Sequence, residues 1–311
     1  MLPTMTAVMP AVRILTADDL DDVVDLATVA EIAEVGETDD ELTEWLRGAR
    51  TDTYRLFGID DADGLAGYAI LECQRGHVGL EAEIRVRPGL DYSLADSMLA
   101  LVRKAAAEFD DAKPVHIMTN STAHQLQRWL LAHGAREIRH FWRMSIEFDD
   151  TRPALPDAPA GVVLRRARDE EDDLRLIFAL VDTAFAEHFG HTDERTYEAW
   201  IENWRARQGF DLSLWWVAEL DGEPVAALLG MTFPGNGHVG TLGTLKAARG
   251  RGIGTYLLRT SFAEFHDRGY RKVTLGVDSE NGTGAVRLYE SVGMTAVNDW
   301  PLFELDPLRR V

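Results

Sequence analysis

The sequence predicts an α/β protein made of two tandem domains of the same plan, and three observations lead to this prediction. The chain has 311 residues, about twice the ~150 residues of a typical domain. Near its middle, residues 150–161 contain Pro153, Pro156 and Pro159, a composition that favours an extended linker over a helix. Similar strand and helix patterns occur on both sides. We therefore predict a first domain over residues 1–150, a linker over 151–160 and a second domain over 161–311.

The composition limits the classes of function. With 46% hydrophobic and 27% charged residues, the chain has enough apolar material for two cores. A single cysteine, Cys73, excludes intramolecular disulfides and cysteine-built metal sites, and the sequence indicates no metal. The net charge of −20 disfavours nucleic acid and anionic membranes as partners, whereas it suits a cationic substrate such as an amine. With no apolar run of transmembrane length and no signal segment, a cytoplasmic protein is expected.

Each half begins with a strand followed by a helix. Residues 12–14 lead through an acidic stretch into an apolar-periodic segment that extends to residue 33, and residues 162–164 lead in the same way to residue 189. Acidic residues in the first turn of a helix interact favourably with its dipole, so both stretches predict helix starts.

Each half also ends with the same series of strand, Asn, helix, Gly and strand. The first series places Asn120 and Gly134 around a helix over residues 123–133. The second places Asn281 and Gly293 around a helix over residues 285–292. The asparagines are 161 positions apart and the glycines 159. This register favours a tandem duplication, although unrelated α/β domains also resemble each other at this level.

Between these series, the second half is predicted to contain three strands and a helix. The strands cover residues 214–219, 225–233 and 240–245, and Asp221 and Gly222 have the composition of a hairpin turn. Residues 254–268 follow with an apolar face at helical spacing, and Gly269 is a typical helix terminator.

The turn that precedes this helix is rich in glycine and arginine. Arg249, Gly250, Arg251, Gly252 and Gly254 connect an apolar strand to the start of the helix. Glycines allow close backbone approach, and the amides at a helix N-terminus attract phosphate, so the turn predicts a pyrophosphate site. The spacing does not fit the dinucleotide-binding pattern, and no Gly-Lys-Ser/Thr of a P-loop follows.

What the turn does fit is R-x-x-G-x-G, and there the sequence resembles the GNAT superfamily of N-acetyltransferases. The resemblance continues through the following helix and strand to Asn281, Ala285 and Tyr289. It covers residues 161–311, and the tandem arrangement is similar to that of the mycothiol synthase family. The fold it implies is two α+β domains, each a mixed, mostly antiparallel twisted sheet flanked by helices, with splayed central strands.

The resemblance also implies acetyl-CoA as the cofactor, held where two strands part. Tyr289 matches the family's general-acid tyrosine, which protonates the departing CoA thiolate. A core aromatic side chain is the other interpretation of Tyr289. The residues that the resemblance assigns to cofactor binding are Leu242, Gly243, Thr244, Arg249, Gly250, Arg251, Gly252, Ile253, Gly254 and Asn281.

The sequence departs from the family pattern at a few positions and leaves the general base open. Thr244 and Lys246 stand where an aliphatic residue and a proline are common, and Asn281 lies one residue further than usual from Ala285. The strand before the loop contains no Glu, and His238 lies at its start. Candidates for the acceptor pocket are Glu187, His188 and His191, although a surface helix end or a water-relayed base fits as well. Four clustered tryptophans are interpreted as core and cover, with a cage for an amine as the alternative: Trp200, Trp204, Trp215 and Trp216.

The first half departs much further from the family. Its equivalent loop, residues 85–92, contains one glycine, Pro88 without an N–H and Asp91, which would repel phosphate. Trp129 stands near the expected tyrosine. We predict that this half keeps the fold and has lost cofactor binding, and that Cys73 is structural.

The sequence therefore predicts an acyltransferase that moves an acetyl group from acetyl-CoA to a primary amine of a small molecule. A non-catalytic acyl-CoA sensor that binds the thioester without turnover is the alternative. A monomer is the favoured state, because a tandem chain can mimic internally the dimers of single-domain relatives.

Overall fold

A computed structural model describes residues 11–35, 40–47, 53–73, 78–110, 112–192 and 194–306. The chain forms two compact units. The first comprises Met1–Ile138 together with Pro301–Val311, and the second comprises Arg139–Trp300.

The first unit is a six-stranded sheet with helices on its faces. The strands follow the order β1-β2-β3-β4-β5-β12, and only β4 and β5 run parallel. Its elements are β1 (Val12–Ile14), α1 (Leu20–Val35), α2 (Asp40–Arg47), β2 (Tyr54–Asp61), β3 (Gly64–Glu72), β4 (Leu80–Val86), α3 (Asp96–Phe109), β5 (Val115–Met118), α4 (His124–Ala132) and the last residues of β12 (Thr295–Leu305).

The second unit repeats this plan. Its strands follow the order β6-β11-β10-β9-β8-β7, and only β10 and β11 run parallel. This confirms the predicted mixed, mostly antiparallel α+β fold. Its elements are most of β6 (Arg136–Glu147), β7 (Val162–Arg166), α5 (Glu171–Phe185), α6 (Tyr197–Ala206), β8 (Phe210–Leu220), β9 (Glu223–Phe233), β10 (Asn236–Thr244), α7 (Ile253–Asp267), β11 (Lys272–Asp278) and α8 (Ala285–Ser291).

The units differ from the domain boundaries expected at residues 150 and 161, because each unit is completed by a strand from the other half of the sequence. Residues 302–305 of β12 pair with β5 in the first unit, and residues 141–147 of β6 pair with β11 in the second. Residues 150–160 form neither helix nor strand, as the prolines predict, but they lie within the second unit. Composition identifies an extended segment, whereas the partner of a strand depends on long-range pairing.

Two apolar cores cover the two faces of the second sheet, and β8 contributes to both in strict alternation. Leu214 and Ala218 pack with α7 and α8, whereas Trp215 and Val217 pack with α5 and α6. Alternate residues of a strand point to opposite faces, so a strand buried on both sides shows this pattern.

The predicted core role of the tryptophan cluster is confirmed. Trp200, Trp204 and Trp215 are buried together, with ring centroids 5.1–5.5 Å from Trp215. Trp216 lies on the other face of β8, under the guanidinium of Arg166 at 3.3 Å. The second unit also contains a cavity of about 510 Å³, and none of the four tryptophans lines it.

Candidate active site

The two parallel strands at the centre of the second sheet part after three residue pairs. Strand β10 pairs with β11 from Gly237–Val273 to Val239–Leu275. A register shift between Val239 and Thr241 then turns β10 away, and residues 276–278 of β11 pair only with β6. At the bulge, a Cβ on Gly240 would lie 2.7 Å from Cη2 of Trp204, so only glycine fits there. The parted strands leave backbone N–H and C=O groups without sheet partners, which a ligand can use.

A cavity of about 510 Å³ lies along this crevice. That volume is within the range of small-molecule and cofactor sites. The walls come from the ends of β10 and β11, the loop before α7, α8, the end of α5 and one residue of β6. The lining residues are Phe141, Ala184, Phe185, His188, Phe189, residues 239–244, Ala248, Arg249, Gly250, residues 252–255, residues 276–278, Asn281, residues 283–285, Leu288 and Tyr289.

The loop between β10 and α7 forms a concave backbone turn. Gly250 and Gly252 both have a φ of +77°, a conformation that is strained for any other residue, and α7 begins directly afterwards at Ile253. The N-cap residue Gly252 has no side chain, and the first turn carries no acidic residue. The first amides of α7 therefore have no side-chain acceptor and are suited to an anion.

The two arginines of this loop differ. Arg249 is part-buried and donates from Nε to the Thr244 carbonyl and from Nη2 to the Ala184 carbonyl, both at 3.1 Å. Arg251 is exposed, does not line the cavity and has no side-chain partner within the described residues. Of the residues predicted to bind the cofactor, Arg251 is the one that the structure leaves outside the cavity.

Asn281 and Tyr289 enter the cavity from the segment after β11. The Oδ1 of Asn281 accepts from the N–H and the hydroxyl of Thr283, at 2.8 and 2.6 Å, which leaves its Nδ2 facing Nδ1 of His188 at 3.4 Å. The additional residue between Asn281 and Ala285 is accommodated by Gly284, which has a φ of +82° before α8.

Tyr289 is 7% exposed and lines the cavity. No side chain in the described ranges forms a hydrogen bond with its hydroxyl. Burial raises the pKa of Tyr289 to about 12, so it carries its proton at neutral pH. Its ring belongs to the apolar core beside α7, as the core interpretation predicts, and its role as a general acid stays a prediction.

Of the three side chains considered for the acceptor pocket, only His188 lines the cavity. Burial and then the charge of Arg249 lower the pKa of His188, so its imidazole is neutral at pH 7. Glu187 is exposed and forms an ion pair with Lys246 at 2.7 Å, and His191 contacts Asp182 at 3.2 Å. The imidazole of His238 lies outside the cavity, with its Nδ1 2.9 Å from the Thr274 hydroxyl.

Sequence reasoning missed an aromatic wall beside His188. Phe141, Phe185 and Phe189 line the cavity together with Asp278, which forms an ion pair with Arg139 at 2.6 Å. The Arg139 guanidinium lies 4.6 Å from the ring of Phe189. Phe141 and Arg139 belong to β6, and their position could be found only from its pairing with β11. Phe185 and Phe189 were visible as the apolar end of the predicted helix.

The equivalent loop of the first unit is built differently. The carboxylate of Asp91 accepts from the Ser93 N–H at 2.8 Å and so occupies the start of the 3₁₀ turn that precedes α3. On β4, Glu83 and Arg85 form a buried ion pair at 2.9 Å. Trp129 donates from Nε1 to Asp96 at 2.8 Å. The amides at the start of α7 have no side-chain acceptor, whereas the equivalent position of the first unit is occupied by the carboxylate of Asp91.

Within the described ranges, no three His, Cys, Asp or Glu side chains come together as metal ligands. No helix in that part of the chain combines the length and apolar character of a membrane crossing.

Comparisons with known proteins show which family this site resembles. The profile of the acetyltransferase (GNAT) family matches residues 174–294. The mycothiol acetyltransferase of Thermobispora bispora is 32% identical over 256 residues, 78% of this chain and 80% of the relative. The corresponding protein of Actinosynnema mirum is 33% identical over 246 residues, 75% and 78% of the two chains.

Solved structures show the same fold. A GCN5-related N-acetyltransferase from Sphaerobacter thermophilus superposes with a TM-score of 0.77 at 26% identity, covering 98% of this chain and 96% of the other. A tandem GNAT protein from the clavulanic acid biosynthesis pathway gives a TM-score of 0.70 at 16% identity, covering 97% and 99%. The similarity therefore extends over both halves.

Proposed function

This chain belongs to the GNAT family of acetyltransferases, and from that premise we propose that its second unit moves an acetyl group from acetyl-CoA to a primary amine of a small molecule. The observation that carries the proposal is the crevice between β10 and β11. It connects the backbone turn at Gly250 and Gly252 with Tyr289 in one cavity of about 510 Å³. A pyrophosphate needs the backbone turn and a reacting thioester needs a proton donor, and both belong to the lining of this one cavity.

Binding of acetyl-CoA depends mainly on backbone groups. The N–H groups of the turn and of the first residues of α7 donate to the pyrophosphate, with Arg251 as an added positive charge. The edge of β10 at Leu242, Gly243 and Thr244 does not pair with β11, and the backbone groups left open there hydrogen-bond the amides of the pantetheine arm. The Thr244 carbonyl is not among these groups, because it accepts from Arg249. An N–H of this edge also polarises the thioester carbonyl and stabilises negative charge that develops on its oxygen.

The acceptor amine attacks the thioester carbon directly. The C–N bond forms, the C–S bond breaks, and the electron pair leaves with the sulfur. A thiol has a pKa of about 8.5 in water, so its thiolate is basic enough that protonation of the sulfur assists its departure. Tyr289 is the proton donor, because its raised pKa keeps the hydroxyl protonated until the thiolate develops.

The proton lost by the amine needs an acceptor, and we assign this role to His188, directly or through a water. Its lowered pKa leaves it neutral at pH 7. Because the Nδ2 of Asn281 faces its Nδ1, the neutral ring carries its hydrogen on Nε2. His188 therefore takes up the proton on Nδ1, and the 3.4 Å contact with Asn281 breaks as it does so.

The acceptor amine meets the wall of Phe141, Phe185 and Phe189. The relatives in Thermobispora bispora and Actinosynnema mirum are mycothiol acetyltransferases by name, which supports a small-molecule acceptor. The net charge of −20 favours the approach of a cationic amine. The first unit, with Asp91 in place of open amides, is proposed to bind no CoA.

Calorimetric titration with acetyl-CoA, followed by an assay of free thiol release against a panel of amines, tests the proposal. We expect one CoA site per chain and thiol release that depends on a primary amine. Binding without release from any amine would favour an acyl-CoA sensor. Absence of binding at millimolar CoA would refute both functions.

A further inference from the structure

We propose that Arg249 is a positioning residue that connects the end of β10 to the end of α5, and that it is not a ligand of the pyrophosphate. The proposal rests on the proposed acetyl transfer, and it changes the role that the motif implies for this arginine. It predicts that Arg249 acts on the acceptor side of the cavity, whereas Arg251 acts on CoA.

The two hydrogen bonds of Arg249 are the first support. The Ala184 carbonyl belongs to the last turn of α5, where carbonyls have no partner within the helix, and Nη2 of Arg249 supplies one at 3.1 Å. The Thr244 carbonyl is the last of β10, and Nε supplies its partner at 3.1 Å. The positive charge also lies at the negative end of the α5 dipole. If the guanidinium turned to a phosphate, both carbonyls would lose their partner.

Two other contacts join the same two segments. Lys246 follows β10 and forms an ion pair with Glu187, which follows α5, at 2.7 Å. Gly243 lies so close to α5 that an added Cβ would be 3.0 Å from Cβ of Ala184 and 3.3 Å from the Phe185 ring. The end of β10 is therefore in contact with α5 through backbone, side chain and charge, and Arg249 provides the hydrogen bonds of this junction.

Beyond the Ala184 carbonyl, the chain continues along the acceptor side of the cavity. Phe185 and His188 lie one and four residues further and both line it. Their placement depends on where α5 ends, and Arg249 bonds to that end. Arg251, in the same loop, has no side-chain partner in the described part of the chain, so turning it toward a phosphate would break no hydrogen bond.

The test compares Arg249→Ala, Arg249→Lys and Arg251→Ala. Each protein is titrated with CoA, assayed with an amine at saturating acetyl-CoA, and examined by hydrogen exchange without ligand. We expect Arg249→Ala to change the CoA Kd by less than about threefold, and to reduce kcat/KM for the amine by roughly 10- to 100-fold, the worth of a charge-assisted hydrogen bond. Amide exchange over residues 184–189 should accelerate. Arg251→Ala should instead weaken CoA binding, with exchange over residues 184–189 as in the wild type.

The lysine variant separates charge from geometry, because an ammonium keeps the charge but lacks the planar fork that reaches two carbonyls. We expect Arg249→Lys to behave like Arg249→Ala. If Arg249→Ala affects both CoA binding and the reaction with the amine, the lysine variant shows whether the charge or the two hydrogen bonds are responsible. The proposal is overturned if Arg249→Ala weakens CoA binding at least tenfold, Arg249→Lys restores it, and exchange over residues 184–189 is unchanged. Failure of the wild-type protein to bind CoA would refute the proposed function, whereas the exchange experiment needs no ligand and judges the connection by itself.

Discussion

Replacing Tyr289 with phenylalanine removes one hydroxyl and keeps the ring that packs in the core of the second unit. Tyr289 is 7% exposed, and its neighbours in that core are apolar. No side chain in the described part of the chain loses a hydrogen bond when the hydroxyl is removed. The substitution therefore tests the chemistry of the hydroxyl without disturbing the fold.

The raised pKa of Tyr289 determines when its proton moves, and the usual contribution of general acid catalysis gives the size of the effect. Burial raises this pKa from 10.0 to about 12, which corresponds to about 2.7 kcal/mol in favour of the protonated form. The hydroxyl is thus a weaker acid than a thiol of pKa about 8.5, and transfers its proton only as negative charge develops on sulfur. General acid catalysis contributes about 10²- to 10⁴-fold, so kcat of Tyr289→Phe should fall by that factor.

The assay is thiol release at saturating acetyl-CoA and amine, with CoA affinity measured by calorimetry. We expect the CoA Kd to stay within about threefold, because binding relies on backbone groups. Tyr256→Phe is the matched control, since Tyr256 lies on α7 against the same core and does not line the cavity. If Tyr289→Phe keeps kcat within about twofold of the wild type, Tyr289 is not the proton donor. If the wild-type protein loses activity at alkaline pH near the usual tyrosine pKa of about 10, and Tyr289→Phe lacks this loss, the result would contradict the raised pKa of Tyr289.

Four further results are expected. Gly252→Ala should cost about 1–2 kcal/mol of stability and weaken CoA binding, because its φ of +77° strains any L-residue. Gly269→Ala carries the same strain at φ +91° outside the cavity, and calorimetry should find its CoA affinity unchanged. His188→Gln should remove an acidic limb from the pH profile of kcat/KM. That limb lies below pH 6.5 because the pKa of His188 is lowered, and a limb that persists in the variant belongs to another group. Asp91→Ala should lower the denaturant midpoint slightly through loss of its cap, with CoA still bound at one per chain. A second CoA site in the wild-type protein would contradict the proposal that the first unit binds no CoA, whereas a second site only in Asp91→Ala would show that this carboxylate alone excludes it. Asp173→Asn should destabilise by about 1–3 kcal/mol, since the buried Asp173 carboxylate accepts from Arg165, which keeps its ion pair with Glu219 in the variant. Burial raises the pKa of Asp173, but hydrogen bonds outweigh it and the pKa is lowered. The stability that Asp173 contributes is therefore present above pH 3.8 and lost as the pH falls through the lower folded pKa. An acid-unfolding curve that is the same in Asp173→Asn would refute this.

Local features of the active site could be predicted from neighbouring residues. The turn at Gly250 and Gly252 requires positive φ, and the helix that follows shows its apolar face at 3.6-residue spacing. Asp221 and Gly222, at φ of +53° and +89°, connect β8 and β9 as expected. Each of these features depends on dihedral preferences over a few residues, which the sequence displays directly.

Contacts between distant segments could not be predicted in this way. Phe141 reaches the cavity because β6 pairs with β11, and Arg249 bonds the Ala184 carbonyl 65 positions earlier. Sequence reasoning placed both strands and both arginines in their local elements, but nothing in their neighbours specifies a partner. The residues next to an arginine do not show whether its guanidinium bonds a phosphate or a backbone carbonyl.

The repeated α/β plan, the turn before α7 and the position of Tyr289 follow from local sequence, because backbone conformation and apolar periodicity depend on residues close together in the chain. Three features are visible only in the folded chain: the strand that completes each unit, the point where β10 and β11 part, and the side chains around the crevice. These depend on long-range hydrogen bonding and on close packing, as at Gly240 against Trp204, where free space is set by residues from another element.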